Sequence, residues 1–425
     1  MMSKRFKSEF LRNVVTLMTG TAIAQAIPFL ISPVLSRLYS PEDFAVLASF
    51  MSIAAVLGVV STGRYELAIM LPRHDRDARE IIVLSLLITT SVSLASLLLI
   101  AVFKNGIVLF FDAPELDPWI FLIPVMVFSM GLYQTFNYWS TRNKTFGKNA
   151  VSRVSQSGAL SATQLLAGAF RLTPLGLILG QILGQLTAGI ILSWKALRHF
   201  RDFSRDVTWT GIKKNGRDYR NFPRINTPHA FMDTLKDHGI VMVIIYFFTK
   251  TILGSFSFAF RILKAPVGLI GNALYQVFYQ RASRAVEEGT NLRPMVLRIY
   301  RDLFLIGLPL FGMLFIFTPD IFAFVFGDDY RVSGEIAQII IPWIFLNFIA
   351  APASCLTVVM NRQKEAMLIT IVDVVLRMVS LGIGGITGDY KLAFILMSVS
   401  CGSVMIFAIY WYYSIAGQGV RNAYK

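Results

Sequence analysis

Apolar runs long enough to cross a bilayer recur along this chain with only short polar breaks between them. They fall near residues 14–36, 44–63, 81–103, 118–140, 150–170, 174–194, 225–248, 252–278, 299–319, 335–360, 366–386 and 391–414. A membrane-crossing helix needs roughly 20 residues, and in hydrocarbon every backbone N–H and C=O must be satisfied within the protein. The pattern therefore predicts an all-α polytopic membrane protein with about twelve transmembrane helices. The 425 residues are 55% hydrophobic and 15% charged, against about 25% charged in soluble domains. A soluble core is excluded.

The net charge of +15 is a matter of where the cations lie. Segments on the N-terminal side of the predicted bilayer hold 30 of the 40 Lys and Arg, the opposite loops six, and the spans four. Such an asymmetry places the Lys/Arg-rich side, with both termini, in the cytoplasm. The basic start (Lys4, Arg5, Lys7, Arg12) resembles a signal peptide, but the apolar run after it continues from Val14 to about Ser36. That is too long for a signal core, so an uncleaved first helix is expected. The opposite loops collect acids such as Asp112, Glu115, Asp117, Asp328 and Asp329. The basic balance is thus a topology signal, and no nucleic-acid partner is expected.

The longest basic segment, Lys195–Arg224, falls near the midpoint. It divides the chain into six-helix halves, residues 1–205 and 206–425, the arrangement of a transporter built from two repeated halves. Prolines inside or at the ends of spans, among them Pro28, Pro33, Pro266, Pro309 and Pro342, suit helices that bend.

The charges inside spans are concentrated in residues 225–280. One run carries His229, Asp233, Lys236 and Asp237, spaced 4, 3 and 1; the next carries Arg261 and Lys264. Residues three or four apart share a helix face. Each charge at the hydrocarbon centre costs on the order of 3 kcal/mol, so these groups are expected to face protein and substrate rather than lipid. Farther on, Asp373 and Arg377 are four apart and can neutralise one another. No acid lies within a turn of Arg261 and Lys264 on their own helix. Two such cations suit a phosphate or pyrophosphate, with the arginine offering a bidentate fork. The expected substrate contacts are Arg64, Lys236, Arg261, Lys264 and Arg377. His229, Asp233, Asp237 and Asp373 are candidates for ion or proton coupling, because an intramembrane His or carboxylate can titrate near neutral pH. Gln156, Gln164 and Gln185 either line a sugar-tolerant lumen or hydrogen-bond between helices.

Enzyme signatures are missing. There is no P-loop, HExxH, GxSxG elbow or paired-cysteine metal site, so no catalytic residue, metal or cofactor is expected. Cys355 and Cys401 lie in separate apolar runs and read as small core residues.

The segments LSRLYSPEDFAVLASF, STGRYELAIMLPRHDRDA, YRNFPRINTPHAF and GSFSFAFRILKAPVGLIGNALYQVFYQRAS, in this order, resemble the Wzx-type oligosaccharide flippases of the multidrug/oligosaccharidyl-lipid/polysaccharide exporter superfamily. The resemblance spans nearly the whole chain. It implies two six-helix lobes around a central cavity, a bacterial inner-membrane location, and translocation of undecaprenyl-pyrophosphate-linked oligosaccharide repeat units to the periplasmic leaflet for O-antigen or capsule assembly. Membrane lipid is the other implied partner, and the role leaves room for contacts with further polysaccharide-assembly proteins. By position, Arg64 and Arg261 fall where such flippases present cavity arginines. Two other classes stay open on the residues. A membrane polymerase or ligase would carry a large outer loop, and the longest here run about from Lys104 to Asp117 and from Asp320 to Gly334. A drug or ion antiporter of the same fold would show unpaired acids in the N-terminal spans, and none is present.

Overall fold

The computed structural model describes residues 16, 18–111, 114–198, 207–287 and 290–417. The basic segment 1–13 and Asp112 lie outside the described residues. Among the described residues the chain is helical with no strand. The helices are α1 (Met18–Leu38), α2 (Pro41–Val60), α3 (Asp75–Phe110), α4 (Ile123–Arg142), α5 (Phe146–Ala169) and α6 (Leu175–Arg198). There follow α7 (Trp209–Asp218), α8 (Thr227–Phe247), α9 (Lys250–Glu287) and α10 (Arg293–Phe326). The chain closes with α11 (Arg331–Ala350), α12 (Gln363–Thr387) and α13 (Tyr390–Ile415).

Among the described residues ten helical segments are long and apolar enough to cross a membrane. Of the twelve expected spans, those corresponding to α5 and α8 fall short on composition. Both are helices, of 24 and 21 residues. In α5 the polar side chains serve neighbouring helices. Gln156 Nε2 donates to Gln185 Oε1 of α6 at 2.6 Å, and Gln164 Nε2 donates to the Leu177 carbonyl at 3.2 Å. Arg153 Nη1 donates to Thr21 Oγ1 of α1 at 2.7 Å. A helix whose polar groups are met by other helices can sit inside a bundle although its composition is not that of a lipid-facing span. In α8 the apolar part is His238–Phe247, and the charged stripe precedes it.

Local signals explain the element boundaries. Ser40 caps α2: its Oγ accepts the Asp43 N–H at 3.3 Å, the Asp43 carboxylate accepts the Ser40 N–H at 2.9 Å, and Pro41 opens the helix. Tyr39, just before this cap, donates its hydroxyl to the Gln164 carbonyl at 2.7 Å. Gly168 and Gly176 leave room for its ring. The segment SRLYSPEDF is thus a structural joint between α1, α2, α5 and α6. Pro266, Pro309 and Pro342 lie inside helices.

The chain forms two compact units, Met1–Met242 and Val243–Lys425. The division falls within α8, whose first part belongs to the first unit. There Ser52 Oγ of α2 donates to the His238 carbonyl at 2.9 Å. The first unit has a core of Tyr65, Ile69, Ile81, Ile82, Phe136 and Leu192 at its Lys/Arg-rich end. The second has Phe258 packed against Phe322, Phe326 and Tyr330. Along α3 and α10 large apolar side chains such as Leu98, Phe103, Ile306 and Ile316 are exposed. Rows of this kind on a soluble protein would be an aggregation surface; here they meet lipid.

Candidate functional site

In the first unit, α2 ends at Val60 and the chain reverses through Gly63 and Arg64, with φ of 59° and 60°. Glycine takes the left-handed region freely, but an arginine there is uncommon. The turn feeds a 3-10 helix, Tyr65–Met70. It brings Arg64 back against Glu66, which is completely buried. Arg64 Nη1 stands 3.4 Å from Glu66 Oε1, while Thr62 Oγ1 donates to the other carboxylate oxygen. A relaxed charge-assisted hydrogen bond is about 2.7–2.9 Å, so this pair is loose. Arg64 Nε is buried with no hydrogen-bond partner among the described residues. The Arg64 side chain is 26% exposed.

In the second unit the charges sit on an aromatic stack. Phe394 of α13 stacks on Phe256 of α9 at 5.2 Å, Phe256 on Phe260 at 5.6 Å, and Phe260 on Trp343 of α11 at 5.9 Å. The interplanar angles are 12–17°. Lys264 Nζ lies 5.0 Å from the Phe260 ring centre, and Arg377 Cζ of α12 lies 4.8 Å from that of Trp343. Cations over aromatic faces are attracted by the ring quadrupole, more strongly when desolvated. The stack thus carries two of the expected substrate contacts. Arg261 is half-buried on α9, and Lys264 is exposed.

Asp373 and Arg377 form an ion pair within α12, Nη2 to Oδ2 at 2.6 Å, with side chains 1% and 2% exposed. In this conformation the Arg377 guanidinium is enclosed between Asp373 and Trp343. Cys401 is buried near this pair, and Cys355 is buried as well.

Asp233 is exposed on α8. The side chains of His229, Lys236 and Asp237 lie outside the described residues. No group of His, Cys, Asp and Glu able to hold a metal occurs among the described residues.

Sequence reasoning passed over the stack. Its signal is present: Phe256, Phe260 and Lys264 are spaced 4 and 4 on one helix face. Trp343 and Phe394 come from distant segments and could not be assigned to it from spacing.

These cations lie on or beside apolar helices, Arg64 next to Glu66 and Arg377 next to Asp373. Comparison with known proteins agrees with the helical membrane fold. The chain is similar to an inward-facing multidrug resistance MATE family transporter of the MOP superfamily, with a TM-score of 0.70, 15% identity, and 94% and 95% of the two chains covered. It is also similar to the lipid II flippase MurJ in an inward closed conformation, with a TM-score of 0.75, 12% identity, and 94% and 87% covered. A MOP superfamily transporter from Pyrococcus furiosus, described as having a binding pocket of reverse polarity, gives a TM-score of 0.59 at 13% identity, with 97% and 96% covered. These likenesses show the fold. No curated protein matches the chain. A family profile described as "Polysaccharide biosynthesis protein" matches residues 34–335. With most of its length matched in this way, the chain belongs to that family of polysaccharide biosynthesis proteins.

Proposed function

We propose that this protein is a flippase rather than an enzyme. It would move undecaprenyl-pyrophosphate-linked oligosaccharide repeat units from the cytoplasmic to the periplasmic leaflet of a bacterial inner membrane, by alternating access of its two six-helix lobes. The product would serve O-antigen or capsule assembly. The observation that carries this reading is Arg261 and Lys264 on the apolar helix α9, in a chain of the polysaccharide biosynthesis family. A pyrophosphate is the charged part of such a lipid, and fixed cations in an apolar setting compensate it where water cannot. Arg64, Lys236 and Arg377 are the further proposed contacts, and His229, Asp233, Asp237 and Asp373 the proposed coupling groups. The alternatives, a glycan polymerase or ligase and a drug antiporter, have less support. The first lacks any catalytic signature in the sequence, and the second would be expected to show unpaired acids in the N-terminal spans.

In cells depleted of the protein, repeat units should continue to be made and should accumulate in the cytoplasmic leaflet. A normal periplasmic share of lipid-linked units after depletion would contradict the proposal.

Sidedness has its own check. Cysteine placed at Lys213 should be protected from an impermeant outside reagent in intact cells, whereas cysteine at Lys104 should react. The reverse pattern would overturn the proposed topology.

A further inference from the structure

Helix α7 occupies the segment between α6 and α8, and its two faces differ sharply. Thr208 caps it, accepting the Gly211 N–H at 3.1 Å. The inner face presents Ile212 and Asn215, both buried. It is fastened to α3 through Glu80, whose carboxylate is buried. One oxygen of Glu80 accepts the Thr208 N–H at 3.2 Å and the Thr208 hydroxyl at 3.1 Å; the other accepts Asn215 Nδ2 at 2.9 Å. Arg76 Nε is 3.6 Å from the same carboxylate. Tyr65 adds a second tie by donating its hydroxyl to the Gly216 carbonyl at 2.8 Å. A side chain at Gly211 would collide with the Glu80 carboxylate.

The depth of α7 follows from α3. Between Glu80 and Lys104, which is ion-paired with Asp117 at 2.9 Å, α3 carries no charged side chain, and Lys104 is taken as the far limit of its hydrocarbon span. At about 1.5 Å per residue, a hydrocarbon layer of about 30 Å reaches back roughly 20 residues. That point is Leu84, which faces Gly216 of α7. Glu80 lies about 6 Å beyond it, by the same rise per residue. On that limit helix α7 falls at the depth of the lipid headgroups on the Lys/Arg-rich side.

Its outer face suits that depth. Trp209 is 60% exposed, and Lys213 Nζ stands 5.5 Å from its ring centre. Lys214, Arg217 and Arg220 are also exposed. From Trp209 to Arg224 there are five cations, with Asp218 as the single acid. Among the described residues no carboxylate forms an ion pair with Lys213, Lys214, Arg217 or Arg220. Tryptophan favours the headgroup layer, and clustered lysines and arginines there are drawn to anionic phospholipid.

The geometry points to α7 as a docking surface for anionic phospholipid headgroups, with Glu80 holding the helix in place and Trp209, Lys213, Lys214 and Arg217 meeting the phosphates. This does not depend on what the protein transports. It gives the segment joining α6 to α8 a contact with the leaflet.

The test uses the full chain in vesicles of phosphatidylcholine alone or of phosphatidylcholine mixed with phosphatidylglycerol. The Trp209 signal is the difference between the emission of the protein and that of its Trp209→Phe variant. Spin label at headgroup level should quench it, and quench it more in the phosphatidylglycerol mixture. The extra quenching should disappear in high salt, which screens such contacts. It should also fall to the phosphatidylcholine level when Lys213, Lys214 and Arg217 are all changed to Gln, surface changes that leave the Glu80 attachment intact. Equal quenching in the two lipids would overturn the proposal. So would an unquenched, water-exposed Trp209 in both, which would leave this face to an acidic protein partner.

Discussion

Changing Asp373 to Asn should lower the amount of folded protein sharply, and Arg377→Gln should do the same. The two side chains are 1% and 2% exposed and 2.6 Å apart. Removing one partner leaves the other charge buried, which costs about 3–5 kcal/mol. That is a large part of the 5–15 kcal/mol that typically separates folded from unfolded protein. The double variant, Asp373→Asn with Arg377→Gln, should recover near-normal protein levels in membranes, because no buried charge remains. If the double variant is as poorly expressed as the singles, the ion pair is not what the singles lose. Transport then separates two roles. We expect the recovered double variant to remain defective, because the proposed anion site has lost the cation over Trp343. Full transport by that variant would assign the pair to folding alone.

Arg261→Ala should abolish surface glycan while the protein is still made, and Arg261→Lys should keep part of the activity. Arg261 is half-buried on the apolar helix α9. A hydrogen bond to a charged group contributes about 1.5–3 kcal/mol, so losing one that forms with the transported anion should slow transport by roughly 10- to 150-fold. Lysine keeps the charge but loses the fork that grips two phosphate oxygens. The comparison is to be read as initial transport rate per unit of protein in the membrane. Equal, normal rates for both variants would remove Arg261 from the site.

What could be read in the sequence was what depends on neighbours along one helix. The apolar runs foretold the helices. The 373/377 spacing foretold its ion pair. Contacts between distant segments were not legible. Glu80 is clamped by residues 128 and 135 positions later. The segment Lys195–Arg224 read as a connecting loop, because a ten-residue helix with two inward residues leaves little periodicity to detect. Helices α5 and α8 are among the twelve expected spans, and they fall outside the ten that are apolar enough among the described residues. Their polar residues are part of why they are helices among helices, as Gln156 on Gln185 and Arg153 on Thr21 show for α5. For the candidate site, the charges were visible and their setting was not. Phe256, Phe260, Trp343 and Phe394 stack across three helices, and that gathering is a product of packing.

The most direct measurement is of lipid movement itself. Purified protein would be placed in vesicles holding a pyrophosphate-linked oligosaccharide lipid, and the fraction reaching the opposite leaflet followed with an enzyme that cannot cross the bilayer. The account predicts that the protein speeds this movement over protein-free vesicles and that Arg261→Ala, equally folded and equally inserted, removes the acceleration. Folded protein that leaves the lipid as slow to cross as in empty vesicles would contradict it.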